Sequence, residues 1–332
     1  MNHNNPKIYL CAFGNLNLST SAYRFYHQAL SMGIFENIFI YNECNLDLDF
    51  VCEFRGRFYE AVDLAQIGGG GNLTSDSFAG GRYDPFFMGE NLVRVTRGFG
   101  YWCWKPQIIL QSLRQINDGD ILIYADIGCE FVPSKAKSLL KKLEILKNND
   151  IVGFIAESDF YKEIYWTKND IFKYFGVEND PNFTESFQMS GGLIFMKKSA
   201  KTIQIITEWL DIFKNHWNLI DDSPSQTPNH KDFRENRHDQ SIWSILNKKY
   251  GLKNFDDYYS NAKESYAIID SRERSFTLTM YLTQFKYHKN IDIISNISIR
   301  GALKAWLKLG GKILPTSKAR KNCRKLLGLR EV

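Results

Sequence analysis

Short, solidly apolar runs alternate along this chain with stretches whose apolar residues recur at helical spacing. Lys7 to Phe13 (KIYLCAF) has the pattern of a short buried strand ending at Gly14. Ser19 to Met32 follows with helical periodicity, with Ser19 or Thr20 placed as N-cap and Gly33 placed just past the end. Ile38 to Tyr41 is a second apolar strand. Strand, helix, strand in this order is the βαβ unit of an α/β fold, whose ligands gather at the carboxyl ends of the strands.

The next unit is the most informative. Trp104-Lys105-Pro106 opens a helix, with Pro106 suited to its first position, and Ile109, Leu113 and Ile116 mark the buried face. Asn117-Asp118-Gly119 ends it. Five apolar or aromatic residues, Ile121 to Ala125, then predict a strand buried on both faces that delivers Asp126 to the ligand side of the sheet. Ile151 to Ala156 and Gly191 to Met196 read as further strands, and Thr202 to Phe213 as a helix. Asn218 to Glu235 is polar, with two prolines, and reads as a loop before a helix over His238 to Lys249. Tyr281 to His288 returns to an extended, aromatic character, and no internal repeat is visible. The Gly-rich stretch 68–85 lacks the strand, helix and lysine of a phosphate loop, so it is expected to be a mobile loop or a lid.

Length and composition narrow the class. A chain of 332 residues, 44% hydrophobic and 24% charged, has the balance of an ordinary globular protein with a large core. The six cysteines are scattered without a CxxC pair, which points away from a zinc site or thioredoxin-like motif and toward a reducing compartment. The polar start lacks a signal-peptide core, and no apolar stretch reaches the length of a membrane span, so a cytoplasmic location is expected. The net charge of +5 hides an asymmetry: ten Lys/Arg and one acid lie between Arg300 and Val332, leaving the body mildly acidic. With Leu303, Trp306, Leu307, Ile313 and Leu314 among those charges, residues 296–332 read as a basic amphipathic helical tail. It suits the cytoplasmic face of a membrane better than nucleic acid, or packs as a solvated helix on the body.

Four places could carry chemistry. Asp126, at the end of a buried strand, needs a cation, a ribose hydroxyl or a basic side chain, and a structural salt bridge would serve equally. Gly128, two residues on, allows close approach of a ligand. Gln188-Met189-Ser190-Gly191-Gly192 places two glycines at a strand entrance, the mark of a bulge or a closely approaching group. Arg237-His238-Asp239-Gln240 starts a helix, where Asp239 reads most simply as an N-cap. The late His288 reads, taken alone, as structural.

In this order, strand-Asp-x-Gly, Ser-Gly-Gly strand, Asp-Gln helix and late His, the chain resembles GT-A glycosyltransferases over about residues 7–290. The layout is similar to family-8-like retaining enzymes and to bacterial lipopolysaccharide and capsule transferases. The resemblance implies an α/β fold of GT-A (Rossmann-like) type, with a mixed, mostly parallel central sheet flanked by helices in residues 1–295. It further implies that Asp126 stands for the first Asp of a DxD motif, with Gly128 in place of the second. A divalent metal (Mn2+ or Mg2+) would then fall to Asp126 and His288, with Glu130 as a substitute ligand. Ala12, Phe13 and Gly14 would hold the base, Lys105 would face the diphosphate, and Ser190, Gly191, Gly192 and His238 would line the nucleotide-sugar site. Asp239 and Gln240 would be catalytic. The implied donor is a UDP-sugar and the implied acceptor a glycan or glycolipid of the bacterial surface, with retention weakly favoured. A degraded core that only binds carbohydrate or membrane is the alternative, and the missing second carboxylate supports it. A nucleotidyltransferase would need paired carboxylates on adjacent strands, which the sequence does not display.

Overall fold

A computed structural model describes residues 5–15, 18–61, 86–88, 91–156, 159–255 and 267–270. The chain divides into two units, Met1–Phe276 and Thr277–Val332, and all the strands and helices named below belong to the first. The Gly-rich stretch 68–85, the extended Tyr281 to His288, His288 itself and the basic tail 296–332 lie outside the described residues.

In chain order the strands are β1 (Ile8–Phe13), β2 (Asn37–Tyr41), β3 (Tyr59–Ala61), β4 (Phe86–Met88), β5 (Asn91–Val95) and β6 (Ile121–Ala125). They continue with β7 (Cys129–Phe131), β8 (Ile151–Phe154), β9 (Leu193–Lys197), β10 (Lys253–Phe255) and β11 (Ile268–Asp270). Six form the central sheet in the order β10-β8-β9-β6-β1-β2. Its β1–β2, β1–β6 and β8–β10 pairs are parallel, and β9 alone runs against its neighbours β6 and β8. The sheet is therefore mixed and mostly parallel. Two small antiparallel sheets, β3-β5-β4 and β11-β7, stand apart from it.

Strand residues alternate faces, and each face of this sheet meets its own helices. Tyr9, Cys11 and Phe13 of β1 and Leu122 and Tyr124 of β6 enter one core; Leu10, Ala12, Ile121, Ile123 and Ala125 enter the other. All five residues of β6 are buried, as expected of a strand covered on both sides. On the first face lie the helices α3 (Trp104–Leu113), α7 (Ala200–Asn215) and α8 (Asp239–Lys249); on the second, α1 (Ser19–Leu30) and α4 (Ala136–Leu143). The remaining helices named here are α2 (Leu48–Phe54), α5 (Glu163–Trp166) and α6 (Asn169–Phe175).

Several boundaries differ from the sequence expectation. The cap of α1 is Leu18, with no side-chain cap bond, rather than Ser19 or Thr20. Gly33 lies two residues beyond the C-cap Ser31 and takes up the left-handed turn there, with φ 64°. Pro106 is the third residue of α3, not the first, but it still falls in the turn whose N–H groups have no helical acceptor. Helix α7 starts two residues early because Ser199 caps it, accepting from Thr202 N at 3.1 Å. Strand β9 begins at Leu193, so Gly191 and Gly192 stay outside the regular strand. The reason lies in what approaches them.

Candidate active site

The end of β6 meets the entrance of β9, and the antiparallel pairing is prolonged by one bond, Asp126 N to Gly192 O at 2.8 Å. This fixes Asp126 beside the glycine pair. Tyr124, two residues earlier and so on the same face of the strand, donates its hydroxyl to Asp126 Oδ1. Arg24 of α1 clamps the turn that follows, donating to Ile127 O and Cys129 O at 2.8 Å each. Gly128 is buried inside that turn, and Glu130 lies in β7 opposite Ile269 of β11.

Lys105, in the first turn of α3, is buried at 3% exposure and draws the other segments together. Its Nζ lies 2.5 Å from Asp239 Oδ2, 3.6 Å from Asp126 Oδ1 and 2.8 Å from Gly191 O. The contact to Asp239 is an ion pair, and the one to Gly191 O a well-formed hydrogen bond. The ammonium also stands 5.3 Å over the Tyr124 ring. Burial opposes the charge on Lys105, but Asp126 and Asp239 outweigh it and raise the pKa. Asp239 is pushed up to about 6 by burial, against the downward pull of Lys105. Two carboxylates share one ammonium, which leaves one net negative charge; Lys105 and Asp239 are buried, while Asp126 is partly open to solvent.

The expectation that Asp239 is an N-cap is corrected. His238 is the cap of α8, Asp239 is the first helical residue, and its carboxylate pairs with Lys105 while also meeting the Gln240 backbone at the helix start. Gln240 follows, with Nε2 donating to Gln188 Oε1 at 2.8 Å and Oε1 accepting from Gly191 N at 3.3 Å. The glycine leaves little room to spare: a Cβ on Gly191 would sit 3.2 Å from Gln240 Cβ, a tight contact, and 3.4 Å from Asp239 Oδ2. The group that comes close to the glycine pair is thus the start of α8. Ser190 accepts from Gly192 N at 3.1 Å and closes the turn.

Gln188 is a fixed point beneath this assembly. It is fully buried and donates to Glu163 Oε2 at 3.2 Å and Thr167 Oγ1 at 3.1 Å. Glu163, also fully buried, accepts from Lys248 Nζ and Thr167 Oγ1 at 2.5 Å each, and from Ser244. This network sets which end of the Gln188 amide meets Gln240.

Four further residues expected around the nucleotide sugar, Ala12, Phe13, Gly14 and His238, have the following surroundings. Ala12 and Phe13 have buried side chains, Phe13 stacking on Trp104 with centroids 4.2 Å apart, so a ligand would meet only backbone at that strand end. Gly14 N donates to Tyr41 O at 2.9 Å. His238 is 2% exposed, with Nδ1 on Ile220 O at 2.5 Å, and burial, helped by the charge of Arg97, pushes its pKa down to about 3. It is a neutral ring.

Sequence reasoning passed over Tyr124, Glu163 and the left-handed turn at 98–102, and gave Gln188 no role of its own. The spacing of Tyr124 and Asp126 was a usable signal. The turn carries a second one, two alternating glycines. Gly98 to Trp102 all have positive φ, from 51° to 83°. Among the described residues, the four non-glycine residues in that region are Phe99, Tyr101, Trp102 and His238, and Tyr101 and Trp102 lie against His238 with centroids 5.0 and 5.6 Å away. Backbone of this kind costs on the order of 1–3 kcal/mol per residue and concentrates at functional sites.

No protein-family model matches the chain, and no curated protein matches it. Solved structures overlap it loosely. A glycosyltransferase involved in glycosylation of the major capsid of PBCV-1 is 8% identical, with a TM-score of 0.39 over 85% of this chain and 99% of that one. Glycosyltransferase GlyE of Streptococcus pneumoniae TIGR4 is 13% identical, with a TM-score of 0.39 over 92% of this chain and 64% of its own. Galactosyltransferase LgtC is 11% identical, with a TM-score of 0.37 over 85% of this chain and 80% of its own.

Proposed function

We propose that the protein is a nucleotide-sugar-dependent glycosyltransferase of GT-A type. The observation that carries the reading is the convergence of Asp126, Lys105, Gly191 and Asp239-Gln240 from four separate segments at one edge of the sheet. Sugar transfer passes through a cationic, oxocarbenium-like centre as the nucleoside diphosphate departs. Asp239, held ionised by Lys105 in a dry site, supplies the negative charge that stabilises such a centre, or takes the proton of the acceptor hydroxyl. The single net negative charge of the Asp126–Lys105–Asp239 group fits the first role. Lys105 holds the two carboxylates at a fixed separation, and Gln240 offers a polar amide alongside.

Of the residues implied for Mn2+ or Mg2+, Asp126 and Glu130 are described and His288 is not. Among the described residues no three His, Cys, Asp or Glu side chains come together as metal ligands. Asp126 Oδ1 already accepts from Tyr124 and faces Lys105. These described residues do not by themselves make a hard-cation site.

The donor is read as a UDP-sugar and the acceptor as a bacterial surface glycan or glycolipid of lipopolysaccharide or capsule type, reached from the cytoplasmic face. Among the described residues no helix is long and apolar enough to cross a membrane. The basic tail is the proposed peripheral contact, and equal liposome flotation of the full chain and a chain truncated before Arg300 would discard that part. The transferase reading is tested by screening nucleotide sugars for slow hydrolysis with purified protein. One donor should be turned over, and Asp126→Ala should abolish turnover; unchanged turnover in that variant would refute the site. Gly128, in place of a second carboxylate, favours a second reading, a non-catalytic carbohydrate-binding core. Calorimetry with UDP, with and without manganese, separates them, since absence of binding in both conditions supports the second.

A further inference from the structure

One side of α8 runs from the site to a buried acid. Gln240, Ser244 and Lys248 recur every four residues and so line one stripe of the helix. Glu163 of α5, with no exposed surface, meets that stripe. Its Oε1 accepts from Lys248 Nζ at 2.5 Å and from Ser244. Its Oε2 accepts from Thr167 Oγ1 at 2.5 Å and from Gln188 Nε2 at 3.2 Å. Burial pushes the pKa of Lys248 down, and Glu163 opposes that shift. An apolar pair of the same volume would fill the space without that cost. What it could not do is tell the two ends of an amide apart.

Polarity passes from this pair to the site along a chain of hydrogen bonds. Thr167 gives its hydroxyl proton to Glu163, and Ser241 gives its own to Trp166 O at 2.7 Å. Both hydroxyl oxygens are then left as acceptors toward Gln188 Nε2, at 3.1 and 3.5 Å, beside Glu163 Oε2 and Trp166 O. Four acceptors around one end of the amide admit only its nitrogen. Gln188 Oε1 must therefore face α8, where it accepts from Gln240 Nε2 at 2.8 Å. That leaves Gln240 Oε1 for Gly191 N, at 3.3 Å, and the carbonyl of the same glycine holds Lys105 Nζ at 2.8 Å. Main-chain bonds pin both ends of the first link, Glu163 N to Ser186 O at 2.9 Å and Gln188 N to Tyr161 O at 2.8 Å. The acid thus decides the direction of the bonds, because a carboxylate only accepts. A glutamine at 163 would keep its oxygen for Lys248 and Ser244 and turn its nitrogen to Gln188. Gln188 would then have to flip, setting two NH2 groups against each other at Gln240 and loosening Gly191.

We propose that Glu163 is a positioning residue for the reaction: through Gln188 it fixes the polarity of the Gln240 amide and, beyond it, the place of Gly191 and Lys105. The effect on rate rests on the transferase reading; the effect on Gln240 does not. Two variants of the full chain test it, Glu163→Gln alone and the swap of Glu163→Gln with Gln188→Glu. The swap returns an acceptor-only group to face both Gln240 and the new amide. In nucleotide-sugar hydrolysis, Glu163→Gln should lower kcat about tenfold and leave KM for the donor within about twofold of the original. The swap should bring kcat back to within about threefold of the original. In parallel, the side-chain NH2 protons of Gln240, assigned by their loss in Gln240→Met, should exchange slowly with solvent in the original chain. They should exchange fast in Glu163→Gln and slowly again in the swap. A residue that only supports the fold would gain nothing from the swap. The proposal is overturned if Glu163→Gln works at the original rate, if the swap is no faster than Glu163→Gln or does not fold, or if Gln240 is equally protected in all three. If the original chain hydrolyses no nucleotide sugar, the transferase reading falls, and the Gln240 protons alone decide the role of Glu163.

Discussion

Replacing Lys105 by Met should destabilise the protein strongly at pH 8 and much less at pH 5. At 2.5 Å and an effective dielectric of about 20, attraction between Lys105 and Asp239 is about 7 kcal/mol; at 3.6 Å, that to Asp126 is about 5 kcal/mol before screening. Solvent reduces the second, since the Asp126 side chain is 38% exposed. Desolvation of the ammonium cancels much of the rest, and removal of one partner of a buried pair costs roughly 3–5 kcal/mol. The pH dependence follows from Asp239. Its folded pKa, about 6, stands above the ordinary value of 3.8, so the folded state binds the proton more tightly than the unfolded one. The stability from that proton is fully present below about 3.8 and is lost as pH rises through about 6. Lys105 pulls the folded value down; without it the loss extends to higher pH and deepens. Urea unfolding of the two proteins at pH 5 and pH 8 measures the difference. An equal loss at both pH values, or none at pH 8, would refute the assignment of Lys105 as the partner that keeps Asp239 ionised.

Three further outcomes are expected. Turnover of the nucleotide sugar should fall as pH drops through about 6, where Asp239 takes up its proton, and a pH–rate profile without an acid limb there would count against Asp239 as the working carboxylate. Gly191→Ala should lower turnover severalfold and stability by about 1 kcal/mol, because its Cβ would crowd Gln240 Cβ and shift the start of α8; steady-state rates and urea midpoints check both. Among the described cysteines, the exposed Cys44 and Cys52 should react quickly with a thiol reagent. The buried Cys11, pushed up to about 12 by burial, and Cys103 should react only on unfolding, so loss of a fast-reacting thiol in Cys11→Ser would contradict the fold.

Local pattern along the chain was enough for the parts of this protein that depend on near neighbours. Five consecutive apolar residues before a carboxylate pointed to a strand covered on both faces, with Asp126 just past its carboxyl end. Helical spacing located α1, α3, α7 and α8 to within a few residues, and two glycines before β9 announced a close approach. It could not say what approaches. Gly191 makes room for Asp239 and Gln240, Lys105 is buried between two carboxylates, and Gln188 rests on Glu163, all of them contacts between segments distant along the chain. They arise only when the sheet order sets those segments side by side. The same holds for Asp239: local pattern made it a helix cap, because a cap needs only its own helix, while an ion pair with Lys105 needs the whole fold. The left-handed turn at 98–102 lies between these cases. Its glycines were visible, but the positive φ of Phe99, Tyr101 and Trp102 is imposed by packing against Phe13, Phe58, Trp217 and His238, and no local preference of aromatic residues predicts it.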